Sequence, residues 1–318
     1  MYNFFNRNRV LQSLFLLFFL GWGIFLLLTH SATFDFEWSP VMTLFFPMVS
    51  SSSLLLRILT ILILCTTLIL CQLFFRKYDF FDTLSYYPSV FFLVIVLLSG
   101  IYIKSLFPLI FLFILVLILL INVDYTLSVV KGRIFISGIL IGIISFLNVS
   151  AVLLLFFLLL SLISHRFIRL KDVCVAFFGF VFPIIYFLSY YFLTDQFGKI
   201  IELFSHLSVF GFAKSFIDIS VFQLIKLLWF IIIMLYFLMW LRLQYTSKLI
   251  VLRRRLVSID AMSIILLCML FLSNSSYTEA PLYLALPFTV YFSLATREQR
   301  RWIFHDILIL ITLLLLCL

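Results

Sequence analysis

Charge is what this chain has least of. Only 11% of its 318 residues are Asp, Glu, Lys or Arg, against about a quarter in an ordinary soluble domain. Nine glycines and seven prolines are too few for a collagen-like or low-complexity polymer. The five cysteines, Cys65, Cys71, Cys174, Cys268 and Cys317, fall in or beside apolar runs and never at metal-ligand spacing. They read as small apolar residues, not as a disulfide framework. No phosphate-binding Walker loop, dinucleotide glycine loop or His-Glu-x-x-His pair occurs. ATP-driven chemistry on this chain is not expected. No polar stretch is long enough to fold alone, so no soluble domain is expected either.

Apolar sequence fills the space. The chain is 65% hydrophobic with a mean hydropathy of +1.29, more than any soluble core requires. The apolar runs do not alternate in short segments, which excludes an outer-membrane barrel. The expected fold class is all-α: a polytopic transmembrane bundle of about 11 segments, each near the roughly 20 residues needed to cross a bilayer. All of 1–318 reads as a single integral membrane domain.

The run 134–163 decides the topology. It is too long for one ordinary crossing and carries cations at both ends, Lys131 and Arg133 before it, Arg166, Arg169 and Lys171 after it. Two short helices folded back at Asn148-Val149-Ser150 put both clusters on the same side, as the positive-inside rule prefers. Gly138 and Gly142 suit close helix approach. The cytoplasmic loops are then 76–87, 122–133, 164–172, 242–260 and 296–302. The outer loops are 30–53, 194–220 and 273–280. Within 194–220, a helix lying on the membrane surface is expected from the apolar spacing of Phe197, Ile200, Ile201, Phe204 and Leu207. With the N-terminus cytoplasmic and the C-terminus outside, 17 of the 22 Lys and Arg lie on the cytoplasmic side. This bias assigns the chain to the cell inner (plasma) membrane, with lipids as its constant partners. It also accounts for the net charge of +9 without nucleic acid.

The first outer loop is the best place for chemistry. Asp35 and Glu37 stand two apart in the aromatic stretch Phe34-Asp35-Phe36-Glu37-Trp38. A carboxylate with little bulk water around it suits a general base. The pair could also hold a divalent cation against a phosphate. A solvated loop accounts for them equally simply. His30, Arg57 and Lys104 are the candidate phosphate contacts. Arg57 sits about one turn inside an apolar run, which calls for a partner or for snorkelling to headgroups. Tyr277 and Glu279 are candidates on the acceptor side. No other metal ligands are assigned, and Arg253-Arg254-Arg255 reads as a topology and headgroup determinant.

This order of features resembles the GT-C superfamily of polytopic glycosyltransferases. The resembling motifs are Asp35-Phe-Glu37 in the first outer loop, Gly138-Ile-Leu-Ile-Gly142 leading into the hairpin, and Tyr283-Leu-Ala-Leu-Pro287 entering a late crossing. The chain is also similar to a family of short bacterial polytopic membrane proteins. The resemblance implies sugar transfer from a polyprenyl-phosphate donor at the outer face. Asp35 would be the base or metal-binding carboxylate, Glu37 its companion, and Arg57 or Lys104 the phosphate contact. The first outer loop is short for such an enzyme, and no large outer domain is present to bind an acceptor. Two other classes stay open: a non-catalytic subunit or assembly factor with a protein partner in the membrane, and a lipid flippase or transporter. Replaceable Asp35 and Glu37 would favour the former. Ionisable residues deep inside the membrane would favour the latter.

Overall fold

The computed structural model describes residues 9–29, 53–77, 86–98, 107–122, 130–147, 149–164, 169–194, 221–243, 250–272, 280–298 and 311. Its elements are α1 (Arg9–Thr29), α2 (Ser53–Lys77), α3 (Tyr87–Leu98), α4 (Phe107–Asn122), α5 (Val130–Leu147), a 3₁₀ turn (Val149–Leu153), α6 (Leu154–Ser164), α7 (Leu170–Leu193), α8 (Val221–Leu243), α9 (Ile250–Leu272), α10 (Ala280–Tyr283) and α11 (Ala285–Glu298). Every element is helical, and there is no strand among the described residues.

Alpha-11 and the turn before it form the centre. Every residue from Leu282 to Leu294 is buried, as expected of a helix that is apolar on all faces. Phe292 meets Phe91 of α3 at 4.8 Å between ring centroids and Phe237 of α8 at 5.5 Å. Tyr283 meets Phe111 of α4 edge-on at 4.8 Å. The short α10 ends at Tyr283, where Pro287 withholds the amide hydrogen that would bond to the Tyr283 carbonyl.

Alpha-5 and α7 form the closest pair, and glycine is the reason. A Cβ on Gly138 would stand 2.6 Å from the Ala176 carbonyl oxygen, and one on Gly142 would stand 2.5 Å from that of Phe180 and from Pro183 Cγ. Gly179 answers from α7, where a Cβ would stand 2.5 Å from the Phe135 carbonyl oxygen. The contacts advance together along both helices, from Gly138 with Ala176–Phe180 to Gly142 with Phe180–Pro183. The two helices therefore run parallel. The chain between them must travel back, and it first does so after α5 ends at Leu147, through the 3₁₀ turn from Val149 and α6. The fold-back expected from the charges is the one this register requires.

The same bookkeeping orients other helices. Lys77 Nζ, in the last turn of α2, donates to the Leu120 carbonyl near the end of α4 at 3.4 Å. Ser89, at the start of α3, hydrogen-bonds Gln72 in the last third of α2. Phe91 near the start of α3, Phe237 near the end of α8 and Phe292 near the end of α11 meet. The ends of α2, α4, α8 and α11 thus gather with the start of α3, and the helix directions alternate.

Several boundaries move from expectation. The segment 242–260, expected as a loop, is helix from Ile250 onward, so Arg253, Arg254 and Arg255 lie on α9. Leu256, Ile259 and Met262, buried at helical spacing, supply the apolar face that carries the three arginines into the helix. Alpha-5 likewise begins at Val130 and α7 at Leu170, taking Lys131, Arg133 and Lys171 into first turns. Alpha-3 is 12 residues long, and 99–106 lie outside the described residues. Two helices are long and apolar enough to cross a membrane, Ile58–Lys77 within α2 and α7 itself; the described parts of the others fall short by length or composition. The expected surface helix in 194–220 lies outside the described residues.

Alpha-7 meets the rest of the protein along one stripe. Its buried residues are Asp172, Ala176, Gly179, Phe187 and Tyr191, spaced by three, four or eight as one helical face requires. Only these five of its 24 residues are buried. The remainder exposes Phe177, Phe178, Phe182, Ile185, Tyr186 and Phe192. Buried hydroxyls elsewhere bond back to their own helix. Thr67 Oγ1 donates to the Ile63 carbonyl at 2.6 Å, and Thr289 Oγ1 to that of Leu286 at 2.7 Å. That is how a polar side chain avoids an unpaired donor in apolar surroundings.

Candidate functional site

His30, Asp35, Glu37, Lys104, Tyr277 and Glu279 all lie outside the described residues. Arg57 belongs to α2 by its backbone, one turn after Ser53, and its side chain lies outside the description. The structure therefore does not describe how these groups sit relative to one another. It does fix where the first candidate loop attaches: 30–52 links the end of α1 to the start of α2, the end of α2 remote from Arg76 and Lys77.

The polar centre that the structure does show was missed in the sequence. Asp260 lies ten residues after Ile250 on α9, roughly 15 Å along the helix, and is 1% exposed. The Tyr291 hydroxyl, from α11, donates to Asp260 Oδ1 at 2.7 Å. Ser263, one turn further along α9, places Oγ 2.7 Å from the Asp260 carbonyl oxygen and 3.1 Å from the Tyr291 hydroxyl. Its single hydrogen serves one of them at a time. Arg242, in the last turn of α8, brings Nε to 3.7 Å from Asp260 Oδ2. Its side chain is 57% exposed, whereas that of Asp260 is 2% exposed.

Three helices thus meet on one carboxylate. A buried carboxylate is costly unless paired and hydrogen-bonded. Here one oxygen is held by a phenol and the other faces a guanidinium. The arrangement can fix the end of α8 against α9 and α11, and it can hold an arginine at the rim with most of its donors turned elsewhere. The sequence did carry a signal. Asp260 is the only acidic residue between Ile250 and Leu272, in a stretch otherwise uncharged after Arg255, and an ionisable group in such a run is a site candidate.

Cys65, Cys71, Cys174 and Cys268 are free thiols. Among the described residues, no three His, Cys, Asp or Glu side chains group as metal ligands would. Compared with known protein families, with curated proteins and with solved structures, the chain matches none.

Proposed function

We propose that this chain is a multi-pass protein of the cell inner (plasma) membrane, a single membrane domain of about eleven segments with its N-terminus cytoplasmic. Alpha-7 carries the proposal. A 24-residue apolar helix with only five residues buried has no place in water. In a bilayer, its exposed Phe and Ile side chains face lipid. The alternating helix directions support the same reading, because they gather basic residues at one end: Arg76 and Lys77 of α2, Arg242 of α8.

Within that frame, the activity proposed is transfer of a sugar from a polyprenyl phosphate at the outer face. Asp35 and Glu37 support it. Their loop joins α1 to α2 at the end remote from Arg76 and Lys77. Asp35 would take the proton of the acceptor hydroxyl as the sugar leaves its phosphate. The test is Asp35→Asn expressed at wild-type membrane levels in cells lacking the native protein. Loss of a glycan, or accumulation of a lipid-linked sugar, is the expected result. Wild-type glycans and lipid-linked sugars in both Asp35→Asn and Glu37→Gln would end the proposal.

Asp260 favours a second reading, a transporter or lipid flippase. A buried carboxylate with an arginine partner is the kind of group such proteins place in the membrane. Under that reading, Asp260→Asn abolishes function while Asp35→Asn does not.

A further inference from the structure

Among the described residues, Arg242 meets one partner. Its Nε faces Asp260 Oδ2 at 3.7 Å, an ionic contact too long for a hydrogen bond. Among the described residues it has no other ion-pair or hydrogen-bond partner. A guanidinium carries five N–H donors in a planar fork, and the side chain is more than half exposed. Its carboxylate partner is anchored, since Tyr291 fixes Oδ1 from a second helix and the group is almost wholly buried. Arg242 is thus held from behind, with its forked end outward.

Its position narrows what the fork can meet. Arg242 occupies the last turn of α8, at the end where α2 presents Arg76 and Lys77 and where α2, α4 and α11 also end. On the membrane reading, on which this inference rests, that end lies at headgroup depth on the cytoplasmic side. The anions available there in quantity are lipid phosphates. Phosphate oxygens match the two outer nitrogens of a guanidinium as a bidentate pair.

We propose that Arg242, positioned by Asp260 and Tyr291, binds the phosphate of an anionic lipid headgroup at the cytoplasmic end of α8. Asp260 is a positioning residue, and Arg242 supplies the contact. This inner-face site is separate from the Asp35 loop and does not depend on sugar transfer.

Charge and position make opposite demands on Asp260, and this allows a clean test. If binding were general attraction to a basic surface, Asp260→Asn would add one unit of positive charge and tighten it. If Asp260 aims Arg242, the same substitution weakens it. The full-length chain is purified in detergent and titrated with phosphatidylglycerol or phosphatidylcholine, with binding read by native mass spectrometry. Wild-type protein is expected to prefer phosphatidylglycerol. Arg242→Gln should weaken that binding by about tenfold, the scale of one charge-assisted pair. Arg242→Lys, which keeps the charge but not the fork, should fall between them. Asp260→Asn, which can still accept from Tyr291, should weaken it severalfold. Arg254→Gln, which removes an equal charge elsewhere, should change it by no more than about twofold.

The site is refuted if Arg242→Gln and Arg254→Gln lose equally, or if Asp260→Asn binds more tightly. Displacement of the lipid by inorganic phosphate alone would place a free anion there instead and overturn the lipid assignment. A chain released from membranes by alkaline carbonate would refute the membrane reading itself, an outcome distinct from either.

Discussion

The Tyr291 hydroxyl and the Asp260 carboxylate meet at 2.7 Å across two helices, 31 residues apart in sequence. Tyr291 is fully buried and Asp260 nearly so. Neither group can turn to water for a substitute. Tyr291→Phe removes the donor and keeps the ring, so it isolates the hydrogen bond from the packing. The expected loss is about 1–2 kcal/mol, between the small average for polar contacts within membranes and the full cost of an unmatched buried acceptor. Thermal unfolding of the detergent-solubilised protein should show a clear fall in Tm. Asp260→Ala should cost more than Tyr291→Phe, because it leaves both Tyr291 and Arg242 without the carboxylate. Equal stability of Tyr291→Phe and wild type would mean that the bond contributes nothing.

Much of the fold was legible because apolar runs bounded by cations declare their own ends. Alpha-2 ends at Arg76-Lys77 and α8 at Arg242-Leu243, as the composition shift at each place suggests. The reversal after α5 was legible from the cations on both flanks. The start of α9 was not, because three successive arginines resemble a loop when the apolar residues around them go uncounted. The centre at Asp260 was hidden for another reason. Its partners come from α8 and α11, and no local spacing joins Arg242, Asp260 and Tyr291. Asp35 and Glu37 rest on sequence alone, since they lie outside the described residues.

The glycines divide into two kinds, and the same substitution should separate them. Gly138, Gly142 and Gly179 lie where a methyl group would stand 2.5–2.6 Å from a neighbouring backbone oxygen. Backbone cannot step aside as a side-chain tip can, so alanine must push α5 and α7 apart. Gly138→Ala and Gly179→Ala should each cost about 1–3 kcal/mol, the range for overpacking a tight interior. Gly21 and Gly132 have nothing within 4 Å of the added carbon. Alanine there should be neutral or stabilising by up to about 1 kcal/mol through helix propensity. Melting temperatures of the four single variants would check this; Gly138→Ala no less stable than Gly132→Ala would contradict the close approach.

The parallel course of α5 and α7 can be tested by cross-linking. Phe135 and Phe182 have ring centroids 6.0 Å apart. In a background lacking native cysteines, Cys at 135 and 182 should be joined in good yield by a short bifunctional maleimide. Cys at 135 and 193 should not be, since the parallel register carries Leu193 away, roughly 16 Å further along α7. If the 135–193 pair cross-links and 135–182 does not, the helices run the other way, and the reversal after α5 fails with them.

Phe178 separates lipid from water as the neighbour of α7. It is 68% exposed and lies among other exposed apolar residues, Phe177, Phe182 and Ile185. On a water-facing surface, Phe178→Asp would be harmless and would improve solubility. Facing lipid near the middle of a crossing, the same carboxylate costs about 2.5–3.5 kcal/mol on insertion scales. The expected outcome is therefore a marked fall in membrane-integrated protein for Phe178→Asp, with Phe178→Leu at wild-type level. Alkaline carbonate extraction followed by immunoblotting measures it directly. Aspartate at Thr194, the residue that caps the helix and lies at its end, serves as the comparison. A charge there meets headgroups and water, so Thr194→Asp should integrate normally. If Phe178→Asp integrates as well as Thr194→Asp, α7 does not face lipid, and the observation that carries the membrane proposal is lost.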